Sequence, residues 1–353
     1  MYSEEDLLSL LNQIKLDEMT KTSVSPVFFH PFTMKQLSYY SNPKHKYNRY
    51  HQFLINKKNG GYRVVSAPAN KSFMMMLQAV NELLRAFYVP SDHAMGFIRG
   101  RSIVTNADFH KGQNYVFNID LKDFFTSISR SRVCKRLQLA PFFFHKNVAE
   151  LIAGLCSIQE CRNCGNGETK TVYVLPQGAP TSPLISNSIC DTLDRLLTGI
   201  SRRFGLRYTR YADDITFSSM HNVYAENRDF RQELSRILEM QGFVINENKI
   251  RLQKRGTRQA VTGIIVNQKL NVCQRYIRDI RNILYIWEKY GYLEANSKFM
   301  LKYKKEKGHI KKGIPNIKNV LSGKLLYLKM VKGETDSVYM RLNRKFQSIV
   351  SKT

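Results

Sequence analysis

The sequence predicts an α+β fold with a β–α–β–β core of the ferredoxin-like kind. Acidic residues end two apolar, strand-like runs, at Asp120 and at Asp213-Asp214. A mainly helical stretch separates these two runs, which is the order of elements that a β–α–β–β sheet requires. Residues 274–353 are mainly helical and rich in lysine and arginine. We therefore expect a sheet with acids at its strand ends, followed by a basic helical segment.

Length and hydrophobicity limit the number of domains and the class of protein. The chain has 353 residues, of which 43% are hydrophobic, enough for about two or three domains with a real core. It has no apolar run of about 18 residues, so we expect no membrane span. Its acidic start, MYSEEDLLSLL, lacks the basic region and cleavage site of a signal peptide. These features predict a cytoplasmic protein.

The charge balance predicts a polyanionic partner. The net charge is +27, from 55 lysines and arginines against 28 aspartates and glutamates. Residues 298–353 alone hold 15 basic and 3 acidic side chains. An excess of this size most often indicates nucleic acid binding, and a merely soluble basic surface is the alternative.

Three of the six cysteines, Cys156, Cys161 and Cys164, lie close together in the sequence. A structural zinc site needs four ligands, and the nearest histidine, His145, is distant in sequence. Reduced thiols are therefore favoured, and a zinc site remains the alternative.

Helix caps, hydrophobic periodicity and turn-forming residues predict the secondary structure of the first 110 residues. Ser3 caps an N-terminal helix, and Asp6 completes a variant of the capping box. The elements that follow are a hairpin over 50–68 turning at Asn59-Gly60, a helix over 72–88, a loop over 94–102 and a helix around 106–110. Glycine and arginine in the 94–102 loop would let it approach a nucleic-acid backbone closely.

The acids at the strand ends are the candidate catalytic residues. Asp120 follows Val116, Phe117 and Ile119, so it ends a buried strand. A buried carboxylate needs a cation or a cluster of donors, which makes Asp120 a third ligand for an Asp213-Asp214 metal site. Taken alone, the Asp-Asp pair is equally compatible with a solvated turn.

The rest of the chain is predicted from the same signals. The predicted elements are helices over 131–158, a hairpin turning at 165–167, a loop over 175–183, a helix from Pro183 to about Arg203, the Asp-Asp hairpin, a helix over 225–240, strands over 242–250 and 260–267, and helices over 274–353 broken at Pro315 and at glycines 308, 313, 323 and 333.

Two metal ions bridged by such carboxylates can activate a 3′-hydroxyl and stabilise departing pyrophosphate. Carboxylate and phosphate oxygens suit Mg²⁺, so we expect two Mg²⁺ ions, with Mn²⁺ as the alternative.

The sequence resembles reverse transcriptases over about residues 45–270. Three motifs support the resemblance, in the family's order: NIDLKDFF, LPQGAPTSP and YADD. The resemblance implies a right-hand polymerase, with an N-terminal helix over 1–20, fingers over 21–90 and 129–181, palm over 91–128 and 182–268, and a basic helical thumb over 269–353. It also implies RNA-directed DNA polymerase activity.

The resemblance assigns roles to individual residues. It implies that Asp120, Asp213 and Asp214 are catalytic and hold the metals, assisted by the Leu121 carbonyl. The implied nucleotide-binding residues are Arg63 with Lys57 or Lys58, Asp123, the sugar gate Phe125, the pocket residue Gln177 and the proposed general acid Lys249. Ala212 would be small enough to admit the primer end.

Two further boxes resemble the retron branch of the bacterial enzymes. Asn106 and His110 match an Asn-Ala-x-x-His box, and Val261, Thr262 and Gly263 match a Val-Thr-Gly box. By resemblance these residues contact RNA. The implied partners are a non-coding RNA that supplies the template and a 2′-OH primer, dNTPs, the RNA–DNA duplex product and an effector protein for anti-phage defence.

Alternatives remain at this point. The CRNCGNG hairpin is not part of the pattern that the resemblance carries over, and its role is open. A diversity-generating or other phage-defence reverse transcriptase is the nearest alternative. A non-catalytic RNA-binding scaffold has no need of three clustered acids, and Phe125 disfavours an RNA-dependent RNA polymerase.

Overall fold

A computed structural model describes residues 3–21, 29–45, 49–57, 60–163, 168–225, 228–307 and 315–352. The helices are α1 (Glu4–Lys21), α2 (Met34–Ser41), α3 (Lys71–Phe87), α4 (Ile103–Phe109), α5 (Arg130–Gln138), α6 (Lys146–Leu155), α7 (Ser182–Ile189), α8 (Asp191–Arg203), α9 (Asp229–Met240), α10 (Gln274–Lys307), α11 (Ile317–Lys332) and α12 (Ser337–Val350). The strands are β1 (Tyr50–Asn56), β2 (Tyr62–Pro68), β3 (Tyr115–Asp120), β4 (Ile158–Asn163), β5 (Thr169–Val174), β6 (Arg207–Tyr211), β7 (Asp214–Ser219), β8 (Arg251–Lys254), β9 (Ala260–Val261) and β10 (Ile264–Ile265).

The predicted α+β class is confirmed. Strands β6, β7, β3 and β8 form a four-stranded sheet in that order, with helices between β3 and β6 along the chain. β3 ends at Asp120, and β6 and β7 are joined by a turn at residues 212–213. Both acid-bearing segments therefore belong to neighbouring strands of one sheet.

The N-terminal predictions also hold. Ser3 and Asp6 cap α1 reciprocally, since the Asp6 N–H donates to Ser3 Oγ (3.0 Å) and the Ser3 N–H to Asp6 Oδ2 (3.1 Å). The hairpin predicted over 50–68 is formed by β1 and β2, paired in register from Tyr50 opposite Pro68 to Asn56 opposite Tyr62.

The strand predicted over 242–250 is wrong. This segment pairs with the chain after β3 only through an isolated bridge between Leu121 and Ile245. The Lys122 N–H donates to the Val244 carbonyl (2.8 Å) and a short 3₁₀ turn follows at 247–249. Residues 242–250 therefore form a single bridge and not a continuous strand. The strand β8 begins at Arg251.

The strand predicted over 260–267 is instead a tight hairpin of β9 and β10. Thr262 and Gly263 form its turn, and both have positive φ, 47° and 85°. A two-residue turn with both φ values positive matches the right-handed twist of paired strands.

The helices predicted over 131–158 and 183–203 are each divided. α5 ends at Gln138, and Pro141 cannot continue it because proline lacks an N–H and disfavours a helical residue before it. Ile158 already belongs to β4. The helix predicted over 183–203 is divided into α7 and α8 at Cys190, whose ψ is −1°.

The predicted glycine breaks in the C-terminal helices hold only in part. Gly323 lies inside α11 and does not break it, whereas Gly333 ends that helix with a φ of 90°.

The chain divides into two compact units. The first comprises Met1–Gly100, Asn118–Ile215 and Val223–Ile250, and the second comprises Arg101–Phe117, Thr216–Asn222 and Arg251–Thr353. The division passes through strands β3 and β7. The boundaries predicted for fingers, palm and thumb stay predictions.

In the first unit, α6 and α2 approach with no side chain between them. A Cβ atom at Gly154 would lie 1.9 Å from the Ser41 carbonyl oxygen. The buried Arg49 links the same two helices, since Nε donates to the Tyr40 carbonyl (2.8 Å) and Nη2 to the Gly154 carbonyl (2.6 Å). Carbonyls at helix C-termini carry partial negative charge, which stabilises the buried guanidinium.

The second unit has its own core, built mainly from α10, α11 and α12 around Trp287, Leu321 and Phe346. α10 is kinked at Gly291, whose φ is 82°. None of the helices that the structure describes is long and apolar enough to cross a membrane.

Several predicted features lie outside the described residues: Lys58, Asn59, Cys164, the hairpin turn at 165–167, Gly308 and Gly313.

Candidate active site

The turn between β6 and β7 presents the two adjacent acids. Ala212 has a φ of 56°, an uncommon conformation for a residue with a side chain. Asp213 is half-buried and Asp214 is exposed. The Leu121 N–H donates to the Asp213 carbonyl (3.0 Å), which fixes this turn beside the end of β3.

Asp120 is held at the end of β3 by two side chains from the segment before β8. The Asp120 residue is 7% exposed. Lys249 Nζ lies 2.7 Å from Asp120 Oδ1, and Asn246 Nδ2 lies 3.3 Å from Oδ2. The Asn246 N–H also donates to the Asp120 carbonyl (2.8 Å). The carboxylate is thus buried, oriented and partly neutralised.

The Asp120 carboxylate influences the ionisation of Asp213. Burial raises the pKa of Asp213, and the neighbouring Asp120 carboxylate raises it further. The Asp213 backbone N–H, Lys249 and Arg63 act in the opposite direction on this pKa. A cation bound beside Asp120 would stabilise the charged form of Asp213.

A complete metal cluster is not evident from the side-chain positions. Among the described residues, no group of three or more His, Cys, Asp or Glu side chains is arranged to hold a metal ion. Asp214 as the third metal ligand, with the Leu121 carbonyl assisting, therefore stays a prediction. The zinc alternative gains no support in the described ranges, where burial raises the pKa of Cys156 to about 12 and Cys161 is exposed.

A buried ion pair contacts the turn between β6 and β7. Arg210 and Asp194 are both fully buried, with Nε to Oδ1 at 2.8 Å and Nη2 to Oδ2 at 2.7 Å. The Tyr208 hydroxyl also donates to Asp194 (2.7 Å). Arg210 Nη1 reaches the Ala212 carbonyl at 3.3 Å, so the pair is linked directly to the acid-bearing turn.

The loop with the LPQGAPTSP sequence packs on β2. The Ser66 N–H donates to the Gln177 carbonyl (2.8 Å). Gly178 has a φ of 122°, and a Cβ atom there would lie 2.7 Å from Val65 Cγ1. The structure therefore brings Gln177 next to the strand that carries Arg63, and Arg63 in turn influences Asp213.

The turn after β3 carries the predicted sugar gate. Phe125 is half-buried and packs against Phe124, with ring centroids 5.2 Å apart. Asp123 is exposed and has a φ of 49°. The Ser127 N–H donates to the Asp123 carbonyl (2.8 Å), which closes the turn. The nucleotide-binding roles of Asp123, Phe125, Gln177 and Lys249 stay predictions.

The two boxes predicted to contact RNA meet each other inside the second unit. Asn106 Nδ2 donates to Thr262 Oγ1 (3.4 Å), and His110 Nδ1 lies 2.7 Å from Ser218 Oγ. Asn106, His110 and Val261 are buried, so their side chains offer no surface to RNA in this conformation. Thr262 is half-buried and Gly263 is exposed, and RNA contact by these two stays a prediction.

Sequence reasoning missed the residues that support the acids. Asn246 falls in a segment interpreted as a strand, so its contact with Asp120 could not be anticipated. Arg210 did give a signal, because an arginine in a strand-like run with apolar residues on both sides, such as Tyr208 and Ile215, requires a partner if the run is buried. Nothing in the sequence identified Asp194 as that partner.

Comparison with known proteins extends these findings. A family model described as reverse transcriptase (RNA-dependent DNA polymerase) matches residues 55–271. Retron Mx65 reverse transcriptase of Myxococcus xanthus is 37% identical over 260 residues, which are 70% of this chain and 59% of the relative. Retron Mx162 reverse transcriptase of the same organism is 34% identical, with 62% and 47% covered. Retron Ec86 reverse transcriptase of Escherichia coli is 34% identical, with 54% and 55% covered. The chain spans about half the length of these curated relatives.

Proposed function

This chain belongs to the reverse transcriptase family, and on that premise we propose that it is an RNA-directed DNA polymerase of the retron type. It copies a structured non-coding RNA into DNA from a 2′-hydroxyl of that RNA, and the product is a branched RNA–DNA hybrid. The proposal includes a cytoplasmic role in anti-phage defence together with an effector protein.

The observation that supports polymerase chemistry best is the pairing of Asp120 with Asp213. Asp120 ends β3 and Asp213 lies in the turn before the neighbouring strand β7. Burial, and then the Asp120 carboxylate, raise the pKa of Asp213. This donor set fits a divalent cation with oxygen ligands, such as Mg²⁺ or Mn²⁺. Asp120 and Asp213 would hold the ions, with Asp214 and the Leu121 carbonyl as further ligands. Bound ions would supply activation of the attacking hydroxyl and charge neutralisation.

The remaining residues have roles that follow from their positions. Arg63 is exposed on β2 and near enough to influence Asp213, so its guanidinium would bind triphosphate oxygens. Lys249 neutralises Asp120 through an ammonium group that is 53% exposed. This ammonium group would donate a proton to departing pyrophosphate.

Phe125 gives the first prediction, which concerns sugar selection. Phe125→Ala removes the ring that would clash with a ribose 2′-hydroxyl, so ribonucleotide incorporation should rise, by roughly ten- to a hundredfold relative to dNTPs. Single-nucleotide extension with dNTP and rNTP measures the ratio. Phe125→Tyr keeps the ring and should retain discrimination. An unchanged ratio in the alanine variant would remove the gate from the proposal.

RNA binding should depend steeply on salt. The net charge of +27 and the lysine- and arginine-rich helices α10 to α12 favour binding through phosphates. If about six phosphates are contacted, affinity should fall roughly a hundredfold or more between about 50 and 200 mM salt. Fluorescence anisotropy with a labelled RNA measures this slope, and a flat response contradicts phosphate-driven binding.

The experiment that tests the proposed function is to isolate and sequence the nucleic acid that co-purifies with the protein from its native operon. A DNA strand joined 2′–5′ to an RNA is the expected result. Unbranched, random or untemplated DNA would indicate another class of defence reverse transcriptase. RNA alone, with no DNA made by the purified protein, would indicate a non-catalytic scaffold.

A further inference from the structure

Phe97 is a large apolar side chain that the fold leaves exposed. The residue is 52% exposed although its neighbours Ala94 and Met95 are buried. Its φ is 63°, in the left-handed region that a phenylalanine rarely adopts. Such a conformation persists only where the surrounding structure enforces it, and strained residues of this kind concentrate at functional sites.

The strain on Phe97 is enforced by contacts to the acid-bearing turn. A Cβ atom at Gly96 would lie 2.8 Å from the Ala212 nitrogen, so only glycine permits this approach. Asn187 Nδ2 donates to the Gly96 carbonyl (3.0 Å), and Asn187 Oδ1 accepts from Arg210 Nη1 (3.1 Å). Phe97 is therefore presented by a backbone that is fixed to the turn carrying Asp213.

The ring of Phe97 lies near two aromatic residues of the candidate site. Its centroid is 6.3 Å from that of Tyr211 and 6.4 Å from that of Phe125. These separations fall within the range of interacting aromatic rings. Tyr211 directly precedes the acid-bearing turn, and Phe125 is the proposed sugar gate. A core role does not account for Phe97, because about half of the residue is exposed.

The geometry points to Phe97 as a binding residue that stacks on the nucleotide at the 3′ end of the primer strand. This inference rests on the proposed polymerase function. Every nucleobase has an apolar face, so an exposed aromatic ring binds nucleotides without sequence preference. In the proposed function Phe125 meets the sugar of the incoming nucleotide. Phe97 also lies near Tyr211, which directly precedes Ala212, the residue expected to admit the primer end.

The test uses four variants of the full chain in primer extension on an RNA template annealed to a DNA primer. Phe97→Ala removes the ring and keeps the strained backbone. Phe97→Gly removes the ring and relieves the strain, because glycine adopts positive φ readily. Phe97→Tyr keeps the ring. Phe143→Gly is the matched control, since Phe143 is also exposed (70%) with a φ of 48°.

We expect Phe97→Ala and Phe97→Gly to raise the KM for template–primer by about 5- to 100-fold, with little change in the KM for dNTP. Phe97→Gly should melt at a higher temperature than Phe97→Ala and still be defective, which separates nucleotide contact from folding. Phe97→Tyr and Phe143→Gly should keep the template–primer KM of the unmodified protein. An unchanged template–primer KM, or a rise confined to the KM for dNTP, overturns the inference. An inert unmodified protein overturns the proposed function instead.

Discussion

Asp213→Asn is expected to abolish Mg²⁺-dependent DNA synthesis, a loss of about a thousandfold or more, while RNA binding stays largely intact. The amide keeps the shape of the side chain but loses the charge that would hold a metal ion. Burial and Asp120 raise the pKa of Asp213, so its charged form is disfavoured in the folded state. A neutral side chain should therefore leave the melting temperature unchanged or slightly higher.

This combination of results separates chemistry from folding. Primer extension with dNTPs measures synthesis, fluorescence anisotropy measures RNA affinity, and a thermal melt measures stability. Asp229→Asn provides a matched control, since Asp229 is an exposed aspartate in the first turn of α9. Normal synthesis by Asp213→Asn would end the assignment of this residue to the metal site.

Asp194→Asn should destabilise the protein by about 3–5 kcal/mol. The substitution leaves the fully buried Arg210 guanidinium without its anionic partner. Breaking a buried pair by removing one member has a cost of this size, because the remaining charge stays in a low-dielectric interior. Urea unfolding followed by circular dichroism measures the change.

Two further variants test the cause of that loss. Replacing both members with apolar residues, as in Asp194→Leu with Arg210→Met, should recover much of the stability, because no charge then remains buried. Glu150→Gln should have little effect, since Glu150 and Lys146 form an exposed pair at 4.0 Å. A loss below about 1 kcal/mol in Asp194→Asn contradicts the importance of the pair.

The parts of the site that were predictable have local sequence signals. Asp120 follows an apolar run that ends in acids, and the Asp213-Asp214 pair interrupts two strand-like runs. Both patterns can be recognised from residues that are adjacent in the sequence. The structure then places the two segments side by side, as the β–α–β–β order predicts.

The parts that could not be predicted depend on contacts distant in sequence. His110 was interpreted as an RNA contact because its box has a family match, yet its ring lies 2.7 Å from Ser218 inside the second unit. The alternating pattern of 242–250 indicated a strand, but hydrogen bonds to residues 120–122 use its backbone instead. Periodicity shows which side chains favour burial, and it does not show which partner covers them.

Gly154 limits how this protein could change during evolution or directed selection. Any side chain at this position would collide with the Ser41 carbonyl, because a Cβ atom there would lie 1.9 Å from that oxygen. Helices α2 and α6 would have to separate, and the Arg49 bonds that join them would lengthen. Residue 154 should therefore tolerate replacement poorly, although it lies outside the candidate active site. Libraries that aim to alter this protein should leave it as glycine.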